Sequence, residues 1–403
     1  MADGPKLTAL GKIVIVLFII GCFGGAVYMI GHRFGVNIGK GGGTGVSLPS
    51  AGSVFGGGGV NAEIGIAYGT EKKRWLEWTV DQFNQTSEGK NIKINLIPMG
   101  SIEGAHALLA GDQRINVWSP ASATYKDVFV EDWQVKFNTN PILKEEPIAL
   151  TPMVFVMWEE RYLAFLQKYK VLSFDTINQA IQEKSGWESI AAKPEWGFFK
   201  FGHTNPNESN SGLMMLVLAA NSYAHKTRDL ELKDVVNAGF QDWLQKLERG
   251  VSGMSNSTGN MMQEMVLKGP SSYDVLFVYE NVTIDYLKNA EGRWGALRVV
   301  YPEYNAWNEN PYYIINATWS SKDQRKAAED FLTFLLSERV QKESLVHGFR
   351  PANPSVPVKF AESPFTVYAR YGIQVDLQKI CEPPKAEVVT NLLTGWQRTQ
   401  GSR

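Results

Sequence analysis

The chain has 403 residues, 44% hydrophobic and 20% charged, a composition that fits a large globular protein and excludes wholesale disorder. Its formal net charge of −1 gives no basic face, so nothing in the charge points to nucleic acid. The two cysteines, Cys22 and Cys381, cannot build a disulfide scaffold, and His32, His106, His203, His225 and His347 lack metal-ligand spacing, so no cofactor is expected.

Residues 1–12 read as a short cytoplasmic tail. Ile13 to Gly31 is an uncharged, mostly apolar run of 19 residues. At 1.5 Å per residue it just crosses a hydrocarbon core of about 30 Å. Ile19-Ile20-Gly21-Cys22 also reads as a lipobox, with Cys22 acylated after cleavage. Apolar character continuing through Ala26 to Ile30 favours an uncleaved transmembrane helix, and either reading ties the body to a membrane. Residues 32–60 form a glycine-rich stretch, with 11 glycines between Gly35 and Gly59, that reads as a flexible tether.

From residue 61 onward apolar strands alternate with amphipathic helices. Glu63–Tyr68 and Asn91–Ile97 read as strands, Trp75 to Phe83 as a helix between them, and Asn116–Trp118 as a third strand. That alternation predicts an open, mostly parallel α/β sheet, with ligands outside the carboxyl ends of its strands. Met153–Trp158 reads as a crossing into a second lobe, which has its own strand at Gly197–Phe201. Tyr273–Tyr279 reads as the return crossing. The expected division is lobe 1 at 61–152 and 282–360, lobe 2 at 153–281, and a C-terminal helical extension at 361–403. Arg350 beside Pro351 reads as a surface residue.

Two polar turns carry the chemistry. Gly202 to Gly212 (GHTNPNESNSG) precedes the apolar helix LMMLVLAA, and Asn256-Ser257-Thr258-Gly259-Asn260 opens a helix through Met262, Met265, Val266 and Leu267. Hydroxyls and unpaired N–H groups at helix N-termini form a seat for an anion or carboxylate, beyond what one capping residue requires.

These stretches, together with STGNMMQEMVLKGPSSYDVLFVYEN, resemble the second lobe of bacterial extracellular solute-binding proteins of the type II periplasmic-binding fold, in the molybdate- and sulfate-like branch. The likeness covers about residues 61–360. It implies a two-lobed α/β clamshell with a ligand held between the lobes. Carried across, it implies ligand contacts at Thr70, Ser101, Ser122, Asn207, Ser209, Ser211, Ser257 and Thr258, with Tyr68, Glu280 and Asn281 near the hinge. A carboxylate at Glu280 repels a divalent oxyanion unless it holds a cation or an amine, or pairs with a buried Lys or Arg.

The expectation is a membrane-tethered receptor for a small polar or anionic solute, with its body in the periplasm or extracellular space. Its partner would be a transporter permease of the ABC type. The alternative is a clamshell kept as a protein-interaction or sensory subunit of a membrane complex. No G-x-S-x-G, H-E-x-x-H or dinucleotide fingerprint supports an enzyme, and His203 near Glu208 and Ser209 is the one hydrolytic set that can be drawn.

Overall fold

The computed structural model describes residues 62–401. The expected tail, apolar anchor and glycine-rich tether therefore lie outside the described residues. Among the described residues no helix is long and apolar enough to cross a membrane.

The first lobe runs β1 (Ala62–Tyr68), α1 (Lys73–Phe83), β2 (Ile92–Pro98), α2 (Ser101–Leu109), β3 (Val117–Ser119), α3 (Lys126–Phe137) and β4 (Ile142–Pro147). β1 lies between β2 and β3, parallel to both. Its side chains divide by the two-residue period of a strand. Ile64, Ile66 and Tyr68 pack with Trp75, Leu76 and Phe83 of α1, while Ala67 faces Trp118 and Phe129 on the other side.

β5 (Ala149–Trp158) then carries the chain into the second lobe, where α4 (Glu159–Tyr169), α5 (Phe174–Ile181), α6 (Trp187–Ala191), β6 (Phe201–Gly202), α7 (Asn210–Ala224), α8 (Leu232–Val236), α9 (Ala238–Glu248), α10 (Thr258–Lys268) and β7 (Val275–Tyr279) follow. α7 is buried from Asn210 to Asn221, as its run of Leu, Met, Val and Ala requires.

α11 (Glu280–Trp294), β8 (Leu297–Val300), β9 (Tyr304–Asn305) and β10 (Trp307–Asn308) come next. β8 pairs with β5 alongside β7, and β10 pairs with the start of β5. The second sheet thus keeps the chain past residue 281, where the sequence predicted its return. The first strand back in the first sheet is β11 (Pro311–Ile315), set antiparallel between β3 and β4. The strand predicted at Gly197–Phe201 is also shorter. Pro194–Trp196 is a 3-10 turn, Gly197 takes φ +72°, and pairing begins only at Phe201.

α12 (Lys322–Leu335) and α13 (Glu338–Val346) complete the first lobe, and β12 (Arg350–Pro351) pairs with Leu150 and Ala149 of β5. α12 begins with a reciprocal cap: Ser321 Oγ accepts from Gln324 N–H and Gln324 Oε1 accepts from Ser321 N–H. The remainder forms α14 (Pro364–Val367), β13 (Lys379–Ile380) and α15 (Ala386–Gly401).

α15 packs on α3 of the first lobe and on α7, α8 and α9 of the second. Its Val388, Val389, Leu392 and Trp396 join one apolar core that also holds Trp118, Phe129, Phe155, Leu213 and Phe277. The expected helical extension is thus a helix seated across the junction of the lobes.

Candidate functional site

The lobes meet where the turn after β1 faces the N-termini of α7 and α10. Thr70 and Ser257 join hydroxyl to hydroxyl at 2.9 Å. Ser122 Oγ donates to Asn210 Oδ1 at 2.7 Å, and Asn210 Nδ2 donates to Tyr279 OH at 3.0 Å and Asn308 Oδ1 at 3.1 Å. Ser211 is the hub on the second lobe, with its hydroxyl 2.6 Å from Thr204, 2.7 Å from Thr258 and 3.2 Å from Ser209. The hub requires Gly212 beside it, because a Cβ there would stand 2.3 Å from Thr204 O.

Behind the hydroxyls lies a fully buried charge. Lys72 Nζ bonds to Glu71 Oε1 at 2.5 Å, Asn310 Oδ1 at 3.0 Å and Pro120 O at 3.2 Å. Burial pushes the ammonium below its ordinary value, and Glu71 opposes that shift. Burial, with Glu71 nearby, holds the Tyr279 phenol well above its usual range, so it serves as a neutral hydroxyl.

Thr70, Ser122, Ser209, Ser211, Ser257 and Thr258 are therefore brought together as the sequence suggested. The others serve elsewhere. Ser101 Oγ accepts the N–H of Ala121, and the N-terminus of α2 receives Glu208 O from the second lobe, at 3.1 Å from Ile102 N. Asn207 faces the C-terminal helix, accepting from Gln397 Nε2 at 3.0 Å. Tyr68 belongs to the first-lobe core. Asn281 donates to Glu71 O and leaves Oδ1 buried without a partner.

Of the alternatives for Glu280, the structure selects the ion pair. Arg350 grips it with Nε at 2.9 Å and Nη2 at 2.8 Å, and Tyr301 adds a hydroxyl. Arg350 is 4% exposed and lies between the Trp307 and Phe365 rings, not on the surface as expected. His203 is also fully buried, with Nδ1 2.8 Å from Thr204 O and Nε2 3.0 Å from Glu248, so it does not face Ser209 as a hydrolytic base.

Sequence reading passed over Glu71, Lys72, Asn210 and Tyr279. The available signal was that Glu71 and Lys72 follow Thr70 directly and Asn210 lies inside the polar turn. Among the described residues no three His, Cys, Asp or Glu side chains are placed to hold a metal ion.

Next to Thr70 and Ser257 the lobes leave a cavity of about 450 Å³, bounded by the start of α1, the first turn of α10 and one face of α11. Two lobes closing hydroxyls, amides and helix N-termini around a cleft define a ligand-clamping protein.

Comparison with known proteins gives the family. The pattern of the bacterial extracellular solute-binding protein family matches residues 64–350, and the chain belongs to that family. It is a binding protein and not an enzyme. A curated relative, the thiosulfate-binding protein of Pseudomonas aeruginosa strain PAO1, is 34% identical over 89 residues, 22% of this chain and 26% of the relative. The match therefore spans about a quarter of that relative's length.

The sulfate-binding protein of Mycobacterium tuberculosis H37Rv shares the fold at TM-score 0.53 and 16% identity, over 85% of this chain and 99% of that one. A periplasmic thiamin binding protein matches at TM-score 0.56 and 14% identity, over 84% and 96%. The iron-bound HitA of Pseudomonas aeruginosa matches at 0.57 and 14%, over 84% and 99%.

Proposed function

We propose that the chain is a membrane-tethered extracytoplasmic receptor that captures a small polar or anionic solute between its lobes and delivers it to the permease of an ABC transporter. The observation that carries this reading is the run of hydroxyls and amides, Thr70–Ser257 and Ser122–Asn210, meeting across the cleft at two helix N-termini. Such groups hold a ligand only while the lobes are closed. The proposed contacts are Thr70, Ser122, Ser209, Ser211, Ser257 and Thr258. Residues 13–31 would anchor the chain in the inner membrane as a single pass, with residues 32–60 as tether and the body in the periplasm.

The test is a thermal-shift screen of the full chain in mild detergent against oxyanions, sugars, amino acids and divalent cations. A ligand at 100 times its Kd stabilises the folded state by about 2.7 kcal/mol. A hit that disappears in Ser211→Ala with Thr258→Ala supports the receptor. A flat screen on a folded chain rejects it and favours the second reading, a clamshell used as a subunit of a membrane complex. The seating of α15 on elements of both lobes supports that alternative. Co-purification of a stoichiometric membrane partner would identify it.

A further inference from the structure

His203 leads into the first polar turn, and no part of the proposed receptor function uses it. It follows β6, whose Phe201 and Gly202 pair with β7, so its backbone is rooted in the second sheet. Its side chain is fully buried and both ring nitrogens are engaged. A carbonyl oxygen only accepts, so Nδ1, 2.8 Å from Thr204 O, carries a proton. Nε2, 3.0 Å from Glu248 Oε1, fixes the other side of the ring, since a flipped imidazole would turn carbons toward both partners. Glu248 is itself buried at the end of α9, and Gln400 of α15 donates to its Oε2 at 3.1 Å.

The peptide group that His203 grips joins the two polar turns. Its carbonyl, Thr204 O, faces His203 Nδ1, and its N–H, that of Asn205, donates to Ser255 O at 3.0 Å. Ser255 Oγ accepts from the N–H of Ser257, which caps α10, at 3.2 Å. On the other side Thr204 Oγ1 stands 2.6 Å from the Ser211 hydroxyl. One peptide group thus sets the turn before α7 against the turn before α10. Ser209, Ser211, Ser257 and Thr258 all stand at the ends of those two turns.

We propose that His203 is a positioning residue of the ligand site. Its Nδ1–H fixes the Thr204–Asn205 peptide and so keeps the two hydroxyl-bearing turns in register, while Glu248 holds the ring in the orientation this requires. The inference rests on the receptor reading and adds a residue that acts through Thr204 without touching the solute.

The test separates the two ring nitrogens. An asparagine amide reaches where Nδ1 stands, and a glutamine amide where Nε2 stands. In the full chain in mild detergent, His203→Asn therefore keeps the donor to Thr204 O, and His203→Gln keeps the bond to Glu248. Hydrogen exchange of the ligand-free chain is read on segments 203–212 and 253–261. It is expected to rise about tenfold in His203→Gln, the size of one lost buried hydrogen bond, and to stay near the parent in His203→Asn. Isothermal titration with sulfate and with thiosulfate should keep that order, with affinity about tenfold lower for the glutamine variant and near the parent for the asparagine one. Glu248→Met preserves side-chain volume, releases Nε2 and should raise exchange in the same segments, so a His203→Gln chain that fails to fold does not decide the matter. Exchange raised equally by the asparagine and glutamine variants, or unchanged in His203→Gln or in Glu248→Met, would overturn the positioning role and leave the receptor standing. The expected exchange pattern with neither anion bound would support the positioning role and reject these anions as the solute.

Discussion

Ser211 shows what a single hydroxyl holds in this cleft. It is fully buried, and the Thr204 and Thr258 hydroxyls each bond to it. Ser211→Ala therefore strands two buried hydroxyls and should cost about 1–3 kcal/mol, measured by urea unfolding. Ser209→Ala, which removes only a 3.2 Å contact, should cost less than half as much. Equal costs would mean that Ser211 is not the hub. Asp285 makes a second prediction. Burial raises its carboxyl to about 6, while Arg74 opposes the shift. The folded chain therefore holds this proton more tightly than the unfolded one, whose Asp titrates near about 3.9. The resulting stabilisation is full below about pH 4 and is lost as the pH rises through about 6, a change on the order of 1–3 kcal/mol. Arg74, Glu71, Tyr286 and His347 share the cavity wall, so the comparison is between variants across pH. Asp285→Asn should melt higher than the parent at pH 8 and match it near pH 4; an unchanged difference across that range would refute the shifted carboxyl.

The elements differ in how far local pattern decided them. α1 was legible because its buried Trp75, Leu76, Thr79 and Phe83 follow the helical period, and β1 and α7 because apolar runs such as theirs must be interior. The Gly197–Phe201 segment was misread because apolar content alone does not forbid a positive-φ glycine from turning the chain. The return point was misread because β8 looks like any edge strand, and only its pairing with β5 reveals its sheet. In the site, the capping turns were visible, whereas Lys72 was not. A lysine at a helix start reads as solvated until Asn310 and Pro120, distant in sequence, close over it. Arg350 was misread for the same reason. Its partners Glu280, Gln374 O and Val375 O come from two segments far apart in sequence, so it ties β12 to the hinge helix and to the chain after α14. Arg350→Ala leaves the Glu280 carboxylate buried and unpaired and should cost about 3–5 kcal/mol. Arg350→Lys should recover little of it, since an ammonium cannot make the two-nitrogen grip. Chemical denaturation of the three chains checks the ranking, and a lysine variant close to parent stability would show that charge alone suffices.

At the scale of the molecule the question is how far the lobes can part. β5 is one continuous strand that pairs with β12 at its first residues and with β7 and β8 at its last, so a hinge there bends an element belonging to both lobes. Direct bonds then close the cleft: Thr70–Ser257, Ser122–Asn210, and Glu208 O against the start of α2. Gly100 permits the last approach, since a Cβ there would lie 2.2 Å from Glu208 O. α15 adds a constraint from behind. It packs on α3 on one side and on α7 to α9 on the other, buries Val388, Leu392 and Trp396, and bonds through Gln397 to Asn207 and through Gln400 to Glu248. Opening the cleft must shear this helix off one lobe, exposing apolar surface worth about 25 cal/mol per Å². The full chain is therefore expected to keep nearly the same radius of gyration with and without ligand in solution scattering. A chain ending at Lys385 should melt lower, scatter as a larger particle when unliganded, and contract when ligand is added. Trp396→Ala should fall between the two, losing about 3–5 kcal/mol if its site does not relax. If the truncated chain instead stays compact and as stable as the parent, α15 travels with one lobe only, and closure is set by the hydroxyl run and β5.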